Sequence, residues 1–327
     1  MKIGRCITRS RGMVWVGATI AVALLLGAPL PASAQISLGG CATFPIKIQS
    51  PGSYILQHNL RSKSGFDCIN VKAAHVNINL NGFAILAGKV GINATGQADV
   101  SVRNGTVTGM SGAGIIVGEG GIVEDVRSDG NGADGIECIG NDCTISGNSA
   151  NLNKTNGIEV NGSAARISGN TANANSVNGI MTAAADSGEN NIITGNTANG
   201  NTAGDGIQCG YLSLVNGNTA NENGLNGISC GTSSTVNGNI ACLNKESGIS
   251  VGDNVRIAGN VVNNNAGDGI TAGTALAQSN EADANGGYGL DFGSSGSGYT
   301  QNVLTANHSS VNNGVSMSPN LCNGSPC

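Results

Sequence analysis

A Gly-Ile pair preceded by a short polar residue returns at a near-constant interval through the middle of this chain. That period constrains the fold more than any other feature. The glycines are Gly135, Gly157, Gly179, Gly206, Gly227, Gly248 and Gly269, with Gly289-Leu290 as a worn last copy. Successive copies lie 22, 22, 27, 21, 21, 21 and 20 residues apart. A Gly-Asn pair keeps the same phase at Asn148, Asn170, Asn196, Asn218, Asn239 and Asn260. An asparagine four residues before the glycine does so at Asn153, Asn175, Asn223, Asn244, Asn265 and Asn285. A repeat of this length marks a solenoid, in which each unit buries its apolar side only against its neighbours.

Within a unit the apolar residues alternate with polar ones over very short runs, as in Gly157-Ile158-Glu159-Val160 and Arg166-Ile167-Ser168. That is the period of a half-buried strand, and no window carries an apolar stripe at helical spacing. Leucine-rich repeats share the length but need leucines at fixed offsets, and the nine-residue calcium-binding glycine repeat is absent. The pattern predicts an all-β fold: a single-stranded right-handed parallel β-helix of about 10–12 coils of 20–23 residues. Coils stacked about 4.8 Å apart would make a rod roughly 50–60 Å long. The same spacing would align Ile136, Ile158, Ile180, Ile207, Ile228, Ile249 and Ile270 as an inward apolar column. Equivalent asparagines would form ladders, each amide donating to one coil and accepting from the other.

These Gly-Ile and Gly-Asn units resemble those of the right-handed parallel β-helix family, the pectate-lyase-like superfamily. Residues 52–60, 68–71 and 76–82 (GSYILQHNL, CINV and VNINLNG) are similar to the opening of secreted bacterial members. The resemblance covers roughly residues 50 to 305. It implies fold far more than activity, since the superfamily spans lyases, hydrolases, epimerases and adhesins.

Residues 1–34 read as a secretory signal: Lys2, Arg5, Arg9 and Arg11, an apolar centre from Val14 to Ala28, and Ala32-Ser33-Ala34 before the cleavage point. Residues 35–65 read as an N-terminal cap, 66–308 as the β-helix and 309–327 as a C-terminal tail or cap. No segment is long and apolar enough for a membrane span. The signal holds four of the 15 basic residues and no acidic ones, which leaves 11 basic against 20 acidic, a net charge of −9. Such a surface argues against nucleic acid. Export implies disulfides. The expected pairs are Cys41 with Cys68, Cys138 with Cys143, and Cys322 with Cys327; Cys209 and Cys230 stack as either a bridge or buried thiols, and Cys242 is left over.

Candidate chemistry sits on the outward strip two residues past each repeat glycine: Glu137, Glu159, Met181, Gln208, Ser229, Ser250, Thr271 and Asp291. Glu137 and Glu159 occupy adjacent coils, and paired carboxylates are what glycoside hydrolysis uses. Such a pair repels, so one member should have a raised pKa or share a cation, with calcium the candidate. Asp134 adjoins them, Lys154 is placed to neutralise them, and the irregular 27-residue interval puts a loop with Asp186 and Glu189 one coil beyond. Tyr288-Gly-Leu-Asp291 resembles the start of the alginate-epimerase motif, but Phe292, Gly293 and Ser294 follow where that motif continues Pro-His-Asp. The arginines that a pectate-lyase-type mechanism would use, Arg166 and Arg256, fall on a different strand. Ice binding would need a regular outward threonine ladder, which this mixed strip lacks. The expectation is a secreted, non-catalytic surface or matrix rod with an extracellular polysaccharide as ligand. The alternative is a polysaccharide lyase, glycoside hydrolase or uronate epimerase.

Overall fold

The computed structural model describes residues 35–38, 44–63, 65–182, 189–317 and 319–327. Their strands are mostly three residues long, and all but the last stack in parallel on the equivalent strand of a neighbouring coil. The result is a parallel β-helix of about 12 turns. A 13-stranded sheet, running from Ile46–Ile48 through Ile136–Cys138 to Ser309–Asn312, forms one wall. A 16-stranded sheet forms the second. The third begins as single bridges joining Arg127, Ser149, Thr171, Thr197, Thr219, Ile240 and Val261, and continues as a 5-stranded sheet from Val261–Asn263 onward.

Alternation explains why three residues suffice for a strand. In Ile136–Cys138, Ile158–Val160 and Ile249–Val251 the outer two side chains are buried and the middle one faces out. Register carries that choice from coil to coil: Ile136 pairs with Ile158, Ile158 with Ile180, Ile180 with Ile207, and so to Leu290. All of these isoleucines are fully buried. The second inward column reads Val160, Thr182, Cys209, Cys230 and Val251, and Cys209 and Cys230 form a disulfide between adjacent coils. Phe292 and Tyr299 are buried and stack at 6.1 Å between centroids, so this aromatic pair belongs to the core.

Two asparagine ladders hold the corners. Asn170 is representative of the first. Its Oδ1 accepts from the backbone N–H of Asn148 at 2.9 Å and from Asn148 Nδ2 at 3.0 Å. Its own N–H and Nδ2 donate to Asn196 Oδ1, and Nδ2 also donates to Ile145 O at 2.8 Å. A buried amide so placed leaves no donor or acceptor idle, which removes the penalty its burial would otherwise carry. This ladder continues past Asn260 through Asn280 and Asn302 to Asn320. The second runs from Asn131 through Asn153, Asn175, Asn201, Asn223, Asn244, Asn265 and Asn285 to Asn307.

The two kinds of repeat glycine do different work. The glycine of each Gly-Asn pair, such as Gly169 at φ +64°, takes the left-handed conformation of a sharp corner. Gly157 is needed for space: a Cβ there would lie 2.6 Å from Ala150 O, 2.6 Å from Asn175 Nδ2 and 2.7 Å from Gly179 O. The second asparagine ladder fits only against a bare glycine.

The ends stack as well. Ile36–Leu38 pairs with Gly52–Leu56, and Ile46–Ile48 pairs with Ile69–Val71, so the segment read as a cap contributes strands to the first coils. Residues beyond 308 form a further coil through Ser309–Asn312, Val315–Ser316 and Leu321–Cys322. The chain then turns back in an antiparallel pair with Ser325–Pro326, closed by the Cys322–Cys327 disulfide. Cys138 and Cys143 are bridged within one coil. Cys68 is a buried free thiol, its expected partner Cys41 lies outside the described residues, and Cys242 is a free thiol.

Replacing Ile207 by Asp places an unpaired charge in the isoleucine column and is expected to cost several kcal/mol. Thermal melting followed by far-UV circular dichroism checks this, and a parental melting point would mean the column is not core.

Candidate functional site

Coil stacking brings Glu137 and Glu159 side by side on the outer face of the 13-stranded sheet. They are in-register partners of the strands Ile136–Cys138 and Ile158–Val160. Their surroundings differ. Glu159 is held from both sides: Asn156 Nδ2 donates to Oε2 at 2.7 Å and Asn161 Nδ2 donates to Oε1 at 2.9 Å. Glu137 receives no hydrogen bond from the described residues. Partial burial, then the nearby Asp134 and Glu159 carboxylates, push its pKa up to about 7. The pair therefore offers one oriented acceptor beside one acid that is about half protonated at neutral pH.

Asp134 is committed elsewhere. It is buried, its Oδ1 accepts from the N–H of Asn156 at 2.8 Å, and the Thr155 hydroxyl donates to the same oxygen. It belongs to a corner ladder with Asn156, Asn178, Asp205 and Asn226, each accepting the next coil's N–H, which ends where the Ser247 N–H donates to Asn226 Oδ1. Its part at the glutamate pair is electrostatic. Lys154 is exposed and forms no ion pair with either glutamate, so it does not neutralise them.

The interval of 27 residues resolves into two insertions. The larger follows Ile180–Thr182, at the turn into Ile192–Thr194 on the 16-stranded sheet; Asp186 there lies outside the described residues. Glu189 is exposed and meets the coil of Glu159 through its backbone: its N–H donates to Ser163 Oγ and its carbonyl accepts from Ala164 N–H. The smaller insertion is one residue between Asn201 and Gly206, which is why Asn201 escapes a search at four residues before the glycine.

Tyr288 and Asp291 are not brought to the pair. Following the strip, Asp291 is seven coil steps from Glu137, roughly 34 Å at the strand spacing. Asp291 accepts from Asn312 Nδ2 at 2.7 Å, and Tyr288 is half-buried with its N–H on Asp268. Among the described residues no three His, Cys, Asp or Glu side chains converge as a metal site.

One concavity was invisible in the sequence. A cavity of about 470 Å³ opens on the outer face of the 16-stranded sheet, lined by residues including Arg256, Leu276, Gly298 and Met317. Arg256, Leu276, Gly298 and Val315 form an outward row, and the missing side chain at Gly298 leaves the notch. A glycine in the outward row is the sequence signal, legible only once the register is known.

The raised pKa of Glu137 links to stability. Against an ordinary value of 4.5, a folded value near 7 gives stability that is full below pH 4.5 and lost as pH rises through about 7. Glu137→Gln is expected to flatten that loss, leaving the variant about 1 kcal/mol more stable than the parent at pH 8 once solvent screening is allowed for. Urea denaturation at pH 4.5 and pH 8 checks it; equal differences at both would remove the charge effect.

Residues 90–241 match the family model for the right handed beta helix region. No curated protein matches the sequence. Among solved structures, a mutant of the periplasmic alginate epimerase AlgG aligns with TM-score 0.59 and 16% identity, over 79% of this chain and 77% of that one. A second mutant of the same enzyme gives 0.55 and 15%, over 82% and 77%. Pectate lyase Pel9A gives 0.53 and 16%, over 78% and 73%. Identities this low speak for the fold alone. By its stacked coils throughout, and by this family match over residues 90–241, the chain folds as a right-handed parallel β-helix.

Proposed function

We propose that the protein is exported and binds an extracellular polysaccharide, without turning it over, along the outer face of its 13-stranded sheet. The observation that carries this reading is the asymmetric pair on a rigid strip. Glu159, fixed by two amides, accepts a hydrogen bond from a sugar hydroxyl, and the protonated form of Glu137 donates one, so adjacent coils recognise adjacent polar groups. Beyond the pair the strip continues as Met181, Gln208, Ser229, Ser250 and Thr271, a neutral track on which a chain can lie. The named activities of the epimerase and lyase neighbours favour a uronate-containing polysaccharide.

A non-catalytic role is favoured by where the cations stand. Arg166 and Arg256 project from the 16-stranded sheet, a wall away from the carboxylate pair. The second reading, a glycan-modifying enzyme, rests on Glu137, whose pKa near 7 suits a general acid beside a second carboxyl group.

Export is supported by the three disulfides, which persist in oxidising compartments. No helix among the described residues is long and apolar enough to cross a membrane. Protein recovered from a periplasmic or culture fraction is expected to begin at Gln35 by N-terminal sequencing; an intact Met1 in a cytoplasmic fraction would end the export reading.

The binding test is calorimetry of residues 35–327 against uronate and neutral polysaccharides, with and without calcium. The Glu137→Gln, Glu159→Gln double variant is expected to bind at least about tenfold more weakly, near 1.4 kcal/mol. Equal affinities would dispose of the site. New reducing ends or unsaturated uronates from the parent, absent from the double variant, would establish the catalytic reading instead.

A further inference from the structure

We propose that the third wall of the helix is an ice-binding face. Between its two asparagine corners, each coil exposes one three-residue stretch: outward, inward, outward. Over four coils the stretch reads Ser149-Ala-Asn151, Thr171-Ala-Asn173, Thr197-Ala-Asn199 and Thr219-Ala-Asn221. Single bridges place Ser149, Thr171, Thr197, Thr219, Ile240 and Val261 in one continuous register. The five-residue excess of the 27-residue unit is absorbed at the other turns, so Thr171 and Thr197 remain partners although 26 residues separate them.

Three properties set this face apart. The first is its chemistry. The first row is hydroxyl and β-branched, and the second is Asn151, Asn173, Asn199, Asn221, Cys242 and Asn263. Both rows are free of charge over six coils in a chain whose net charge is −5. The run is bounded by Arg127 and Asp129 at one end and by Glu281 and Asp283 at the other. No aromatic ring stands in either row, so the face lacks the flat stacking surface that sugars use.

The second is the state of its hydroxyls. The N–H groups of Thr171, Thr197 and Thr219 donate to Asn148, Asn170 and Asn196, and the carbonyls accept from Ala150, Ala172 and Ala198. The three side-chain hydroxyls make no hydrogen bond with the described residues, and each side chain is partly exposed. They are left for water.

The third is rigidity. Each threonine directly follows a member of the first asparagine ladder, and the intervening Ala150, Ala172, Ala198 and Ala220 are fully buried. In the second row Asn151, Asn173 and Asn199 accept the N–H of the next coil through Oδ1, which fixes their side chains along the axis. The rows are thus a fixed lattice, about 4.8 Å along the axis and about 7 Å across it. That mesh is close to the repeat of oxygen positions on a prism face of hexagonal ice. Unpaired hydroxyls continue the ice hydrogen-bond network, while the threonine methyls and the Ile240 and Val261 side chains sit in its open cages. A charged side chain would impose its own hydration shell, and its exclusion from six coils is what such a surface requires.

This wall is separate from the carboxylate strip, so it stands or falls independently of polysaccharide binding there. The test uses residues 35–327 in ice-affinity partition and thermal-hysteresis measurements. The parent protein is expected to enter a growing ice hemisphere and to show hysteresis. Thr197→Tyr and Thr171→Tyr, which raise a ring above the plane of the face, are expected to lose most of both. Ser229→Tyr, an outward change on the 13-stranded sheet, is expected to retain both. Matching circular dichroism and melting points keep the comparison one of surfaces. A parent protein that stays in the liquid, or equal losses in Thr197→Tyr and Ser229→Tyr, would overturn the assignment. So would retention on crystalline chitin or cellulose that Thr197→Tyr abolishes while no ice activity is found.

Discussion

The amide ladder is the interaction on which this architecture depends. A solenoid with three-residue walls has corners every few residues, and each corner buries backbone groups that no strand can pair. Asparagine serves there because one side chain accepts two donors and supplies two, in the direction of the helix axis. The interaction needs an identical partner at the same height in the next coil, so it selects for repetition. It also reaches into the composition: the close approach of Asn175 Nδ2 to Gly157 leaves no room for a Cβ, which makes the glycine of one marker a consequence of the asparagine of the other.

That coupling explains how much of the fold was legible. Three markers in one phase are three parts of a single packing unit, and the inward isoleucines follow from their spacing. What stayed hidden has physical reasons. Asn280, Asn302 and Asn320 belong to the first ladder without a glycine before them; Ser279 and Gln301 take the left-handed conformation in its place. Asn201 is displaced by one inserted residue that the corner absorbs. At the ends, the strands Ile36–Leu38 and Ser309–Asn312 stack without the markers, because a terminal coil has a neighbour on one side only and its corners carry less of the ladder.

The candidate site was legible in the same partial way. Counting from the glycines placed Glu137 opposite Glu159, because register is all that such a statement needs. The roles of Asp134 and Lys154 depended on side-chain direction. Asp134 turns into the corner ladder, since a carboxylate oxygen accepts the next coil's N–H as readily as an amide oxygen does. Lys154 follows the second ladder's Asn153 and faces solvent. The threonine row escaped for another reason: its residues lie midway between the two asparagine markers, on a wall held by single bridges, where no run of strand-like sequence draws notice.

The three walls carry different chemistry because they face different constraints. Inward positions are bound by the core, and corner positions by the ladders, which leaves one outward row or two on each wall free to vary. On the 13-stranded wall that freedom concentrates two carboxylates in adjacent coils, where partial burial and then repulsion lift one pKa into the neutral range. On the third wall the rows stay uncharged and regular for six coils. Varying the outward rows of one scaffold in this way needs no change in the fold, since neither the ladders nor the isoleucine column reads them. A solenoid can therefore present unlike surfaces about its axis, and insertions confined to one corner leave the register of the others intact.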